Sequence, residues 1–334
     1  MIGERRTVVG ATRASPAANG PDHSLGLSAL DTPSPHHPIT PSPSSTPDRL
    51  FRYGMTVPTI LALLIVVAFP LAFALYVSSH DYDLTEGGIG AFVGVENYAR
   101  TIADELFANA ARNTAILSVS VVALELVIAL ALSLLLNQPG LRFRNIYLAI
   151  LLIPLLVSPI AVGLIWRLLL HADLGAVNWA LGLIGLPGQE WLSGQATAMP
   201  AIIGVDVWHE TSLMIVIILA GLTALPRDPI EAAAVDGANR WQALWTVTLP
   251  LLMPVLLVAV LIRMIAAMKT YDLIYILTRG GPGSATETIS YSIWKNAFTT
   301  LDMGRSAAAS FLLLVVILAL TVVLVRAMRT GADA

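Results

Sequence analysis

Six long stretches of this chain carry almost no charge, and that fact limits its folding more than any other. Tyr53–His80, Asn145–Trp166 and Ser306–Val325 contain no Asp, Glu, Lys or Arg. Asn113–Leu141 contains only Glu125; Pro200–Leu225 carries Asp206 and Glu210; Pro250 to about Ile276 carries Arg263, Lys269 and Asp272. A helix of about 20 mostly apolar residues crosses a bilayer. With 56% hydrophobic and 12% charged residues, the chain has more apolar surface than one soluble core hides, so part of it faces lipid. The expected fold class is an all-α polytopic membrane protein with six transmembrane helices, at about 54–78, 113–136, 146–168, 200–223, 250–276 and 306–326.

The two ends differ from this membrane domain, which is expected over 51–328. Residues 1–50 hold 8 of the 20 prolines. Their Pro/Ser-rich composition buries too little to offset backbone entropy, so a disordered cytoplasmic tail is expected. The tail has no signal-peptide pattern, because no apolar region follows its early arginines. Residues 329–334 are expected as a cytoplasmic C-terminus. With the N-terminus inside, eleven basic residues lie in inner segments against five in outer loops, which predicts both termini in the cytoplasm. The outer loop with Asp81, Asp83, Glu86, Glu96, Asp104 and Glu105 is expected as a short helical or irregular cap.

Several classes of function are excluded. A chain with no cysteine has no disulfide framework, thiolate metal site or cysteine nucleophile. Its net charge of −3 gives no sign of a nucleic-acid partner. Its only lysines, Lys269 and Lys295, follow no phosphate-binding glycine loop, so it does not bind ATP itself. No metal-ligand cluster or nucleophile elbow is present, which points away from an enzyme.

The loop after the fourth stretch has a clear local physics. Asp228 suits an N-cap, Pro229 the first helical position, and Glu231 the third, where it would complete a capping box. Ala232, Ala233 and Ala234 favour helix, and Gly237 suits a left-handed helix end after Asp236. A short helix over about 229–237 is predicted. Its pattern, Glu231-Ala232-Ala233, three residues, Gly237, nine residues, then Val247-Thr248-Leu249-Pro250, resembles the EAA loop of binding-protein-dependent type I ABC importer permeases, with Val247 in place of isoleucine. A second run, Tyr271-Asp272-Leu273-Ile274-Tyr275 through Gly280-Gly281-Pro282-Gly283, resembles the carbohydrate branch, of maltose and glycerol-phosphate type.

That resemblance implies a permease subunit in the bacterial inner membrane, half of an ATP-driven pathway for a sugar, polyol or related carbohydrate. The implied partners are a second homologous permease, two ATP-binding subunits that hold the ATP and Mg, and an extracytoplasmic solute-binding protein. Asp228, Glu231, Ala232, Ala233, Asp236 and Gly237 would couple to an ATPase. The implied cargo pathway is Asp206, Trp208, His209, Glu210 and Leu213 with Lys269, Tyr271 and Asp272. A glycerol phosphate or other anion is the alternative cargo, met by Lys269, His209 and Arg263. An ion-coupled transporter using Glu125, Asp206 and Glu210, or a membrane enzyme using His209, would leave the EAA pattern unexplained.

Charges at bilayer depth need partners. Counting about 1.5 Å per residue puts Glu125 and Arg263 at one level and Asp206 and Lys269 at a deeper one. Arg263 is therefore expected to pair with Glu125 or Glu210. Pro154, Pro159 and Pro254 are expected to bend their spans.

Overall fold

The structure, a computed structural model, describes residues 46–85 and 87–332. Most of the expected tail lies outside them. The described chain is helical, with one small hairpin. Residues up to Ile60 form one unit, of which 46–60 are described; residues from Leu61 onward form another. Helix α1 (Thr46–Leu63) passes through a π turn into α2 (Phe69–Ser78). Strands β1 (His80–Asp83) and β2 (Gly88–Phe92) pair antiparallel, and α3 (Glu96–Ala103) follows. Then come α4 (Glu105–Leu136), α5 (Arg144–Leu152), α6 (Pro159–Leu169), α7 (Ala176–Leu183) and α8 (Ala198–Ala224). The chain ends through α9 (Asp228–Val235), α10 (Arg240–Ala243), α11 (Leu249–Met268), α12 (Asp272–Leu277), α13 (Ile289–Phe298) and α14 (Met303–Ala332).

Among the described residues, five helical segments are long and apolar enough to cross a membrane: Tyr53–Ser78, Glu105–Leu136, Ala198–Ala224, Arg240–Met268 and Met303–Arg326. The expected third span is not one helix. It breaks between α5 and α6, through a 3-10 turn at Pro154–Leu156 and extended backbone at Val157 and Ser158. Pro154 and Pro159 lack the N–H groups that a continuous helix would use. Backbone polar groups freed at bilayer depth must find partners in the protein. Here α8 supplies them: Ser212 Oγ donates to the Leu151 carbonyl at 2.6 Å, and His209 Nε2 donates to that of Val157 at 3.0 Å.

Helix α8 is central, with 61% of its most apolar window buried. Ala129 and Leu136 of α4, Met214, Ile215, Ile218 and Leu222 of α8, and Leu252, Leu256 and Ala259 of α11 form one core cluster. Small side chains let membrane helices approach closely. A Cβ on Gly221 would lie 2.7 Å from Val255 Cγ1, so α8 and α11 touch where that glycine has no side chain. A second cluster joins Leu117 and Val121 of α4, Val162 of α6, Ile202 and Val205 of α8 and Ile274 of α12. Outward faces stay apolar, as at Val127 and Val315, which suits lipid or protein contact.

Two further features differ from the sequence reading, and a third goes beyond it. The acidic outer loop is a β-hairpin plus α3, not a helical or irregular cap alone. The fifth span ends at Met268, not about 276; Lys269 to Tyr271 are irregular before Asp272 opens α12. The loop from 278 contains α13, held by Asn113, whose amide donates to the carbonyls of Ser284 and Glu287 at 3.0 Å each.

Candidate functional site: a charged cavity and an exposed loop helix

Two places concentrate the predicted residues. The first is the loop helix α9. It starts one residue earlier than expected, with Asp228 already helical and Arg227 as the N-cap. Arg227 is itself in the helical region, so its carbonyl accepts from Ile230 and Glu231 N–H groups and no side chain caps the end. The expected Asp228–Glu231 capping box is therefore absent. A capping box forms instead at α10, where Asn239 and Gln242 exchange bonds of 2.9 Å. Gly237 ends α9 at φ +84°. Ala238 N–H bonds to the Ala233 carbonyl and Gly237 N–H to that of Ala234, the paired bonds of a Schellman motif. No residue of α9 is buried; Val235 is 88% exposed. A rod ended by a Schellman motif, with Glu231 and the small side chains of Ala232 and Ala234 exposed, thus lies between α8 and α11 in the chain.

The second place is a cavity of about 160 Å³ between α6, α8 and the end of α11. Its lining includes Asp206, His209, Glu210, Arg263, Lys269, Thr270, Tyr271 and Asp272. The α8 members fall at i, i+3 and i+4, one face of the helix. Arg263 of α11 is buried, and its Nε and Nη2 donate to Glu125 Oε2 and Oε1 at 2.7 and 2.9 Å. The same Nη2 donates to Asp206, so the arrangement is a triad and not a pair. The expected level of Asp206 with Lys269 does not describe its bonding, because level counting ignores the reach of an arginine side chain. His209 Nδ1 lies 3.1 Å from Glu210 Oε1. Lys269 sits on the irregular segment and Asp272 at the first position of α12, each without an ion-pair partner among the described residues. The described residues contain no cluster of three or more His, Asp or Glu arranged to hold a metal ion.

Two predicted residues are not brought to this cavity. Trp208 lies two positions from Asp206, about 200° around the helix. It meets Trp166 edge-on at 5.5 Å and lines a separate apolar groove with Ile128, Leu132 and Ile215. Leu213 is partly buried one turn below His209 and lines neither space. Sequence reasoning missed Tyr275, Tyr291 and Trp294, which cluster with Tyr271 at ring separations of 4.8 to 6.4 Å. The i, i+4 spacing of Tyr271 and Tyr275 was the available signal.

Residues 125–331 match the family described as binding-protein-dependent transport system inner membrane component. The chain belongs to this family. It is 36% identical over 281 residues to a probable ABC transporter permease protein, y4oQ, of Sinorhizobium fredii, covering 83% of this chain and 90% of that one. It is likewise 36% identical to the trehalose/maltose transport system permease protein MalF of Thermococcus litoralis, covering 84% and 94%. A chain of a solved bacterial ABC transporter involved in the import of the acidic polysaccharide alginate superposes with a TM-score of 0.73. That match covers 84% of this chain and 96% of the other at 24% identity, which shows a shared fold. The chain is thus an inner-membrane permease subunit of an ABC importer, a transporter and not an enzyme. It works with ABC importer partners.

Proposed function

We propose that the permease forms one half of a carbohydrate pathway, with α9 as its coupling helix and the charged cavity as part of the cargo route. The observation that carries this reading is the exposed, Schellman-terminated α9, which holds the Glu231-Ala232-Ala233 and Gly237 pattern between two long apolar helices. A short rigid rod linked closely to α8, and to α11 through α10, transmits displacement to the helices that wall the cavity. In this reading Asp228, Glu231, Ala232, Ala233, Asp236 and Gly237 meet an ATPase subunit. A second, homologous permease completes the pathway, two ATPase subunits lie beneath, and both termini face the cytoplasm with them. An extracytoplasmic binding protein delivers cargo to the outer loops. The membrane domain extends over about 51–328.

The carbohydrate assignment draws support from the trehalose/maltose permease at 36% identity and from the cavity's chemistry. Charged, imidazole and hydroxyl groups can bond sugar hydroxyls, and the Tyr271 ring offers a face to sugar C–H groups. The route comprises Asp206, His209, Glu210, Lys269, Tyr271 and Asp272, with Glu125 and Arg263 fixing its wall. Trp208 and Leu213 are left outside it. Reconstitution of the full importer in proteoliposomes tests the reading. Uptake of labelled trehalose or maltose should require both ATP and Glu231; uptake that continues without ATP would contradict it.

A further inference from the structure

The charges of the cavity restrict what can pass, on the reading that the cavity lies on the cargo route. Arg263 is claimed twice, by both oxygens of Glu125 and again by Asp206. One guanidinium between two carboxylates leaves an acid in excess. His209 is claimed at both ring nitrogens. The Val157 carbonyl can only accept, so His209 Nε2 carries a proton. Its Nδ1 faces Glu210, and even a fully protonated imidazole cancels only that one carboxylate. At the rim, Lys269 and Asp272 offset one another in charge.

Four carboxylates thus stand against three basic groups. With at most one proton held in the triad, the total reaches zero only when that proton is present and His209 is protonated, and it is negative in every other such state. A bound anion in a low-dielectric cavity needs an opposing surplus to replace its lost hydration. This cavity has none. It does offer directional groups: Arg263 Nη1 takes no part in the triad bonds, and Lys269 has no ion-pair partner among the described residues. Hydroxyl groups both donate and accept, so they suit a wall that mixes such donors with carboxylate oxygens.

We propose that the cavity selects for uncharged or cationic polyhydroxylated cargo and against acidic cargo such as uronates and sugar phosphates. The likeness to the alginate transporter is one of fold, and its acidic cargo does not carry over to this chain.

The test uses the assembled permease–ATPase complex in detergent and saturation-transfer NMR with millimolar glucose, glucosamine and glucuronate in turn. Glucose and glucosamine should show saturable transfer, with glucuronate at least tenfold weaker. Asp272→Asn, at the rim and outside the buried triad, should narrow that gap several-fold, and Asp206→Asn should narrow it too. Glucuronate binding as well as glucose would overturn the charge selection while leaving a sugar route in place. A gap unchanged in both variants would overturn charge as its cause. Saturable transfer from none of the three sugars would overturn the cavity as a sugar site, and this inference with it.

Discussion

Arg263 donates through Nε and Nη2 to both carboxylate oxygens of Glu125, at 2.7 and 2.9 Å, and so ties α11 to α4 in the buried interior. Two residues separated by 138 positions are thereby held in one geometry. Removing one member of a buried ion pair costs about 3–5 kcal/mol, because the other is left uncompensated. Glu125→Ala should therefore lower the melting temperature of the detergent-solubilised protein markedly. Arg263→Met should lower it at least as far, since it strands two carboxylates together. Thermal unfolding followed by size-exclusion chromatography reads both; variants that melt like the parent would contradict the tie.

Gly237 sits at φ +84° with open space where a Cβ would go. Gly237→Ala should cost about 1 kcal/mol of local helix-end stability through its backbone alone, with no clash. The folded permease should persist, while cargo-stimulated ATP hydrolysis in the assembled importer falls. Unchanged melting with reduced stimulation is the expected pattern, and unchanged stimulation would count against a coupling role for this end of α9.

Gly221 is a different kind of glycine, because Val255 occupies the space beside it. Gly221→Leu should push α8 from α11 and cost about 1–3 kcal/mol by overpacking. Lower membrane yield and melting temperature would show it. A neutral outcome would mean that the two helices separate freely there.

Asn113 spends its amide on the carbonyls of Ser284 and Glu287. Asn113→Ala leaves the buried Glu287 carbonyl without that donor, a loss of about 1–3 kcal/mol, while the Ser284 carbonyl keeps the Asn109 amide at 2.8 Å. Faster hydrogen exchange should appear across 284–289 while α8 stays protected; exchange unchanged in that loop would contradict the tether.

Much of this architecture is legible in the sequence, for local reasons. The apolar stretches are long enough to announce themselves, and the Glu231–Pro250 pattern is contiguous, so neither depends on how distant parts meet. The helix end at Gly237 follows from one residue's backbone freedom. What was not legible depends on contacts between segments. The break at Pro154–Ser158 is stabilised by Ser212 and His209 from another helix, and two prolines in isolation do not distinguish a bend from a break. Asp206 joins Arg263 because α8 and α11 pack on α4, which residue depth alone does not give. Trp208 could have been set apart from Asp206 by helical periodicity, and the two consecutive glycines at 87 and 88 were the available hairpin signal between short strands. The start of α9 moved by one residue because Arg227 adopts helical backbone, so Asp228 enters the helix and its carboxylate does not cap it.

Coupling in this permease requires that α9 receive the ATPase. The chain has no cysteine, so Val235→Cys places a single thiol on the exposed end of that helix. The decisive measurement is its accessibility to a maleimide, and its cross-linking, with and without the ATPase subunits assembled. Rapid labelling of the permease alone, protection on assembly and a cross-link to the ATPase are expected. Equal labelling in both states, with no cross-link, would contradict it.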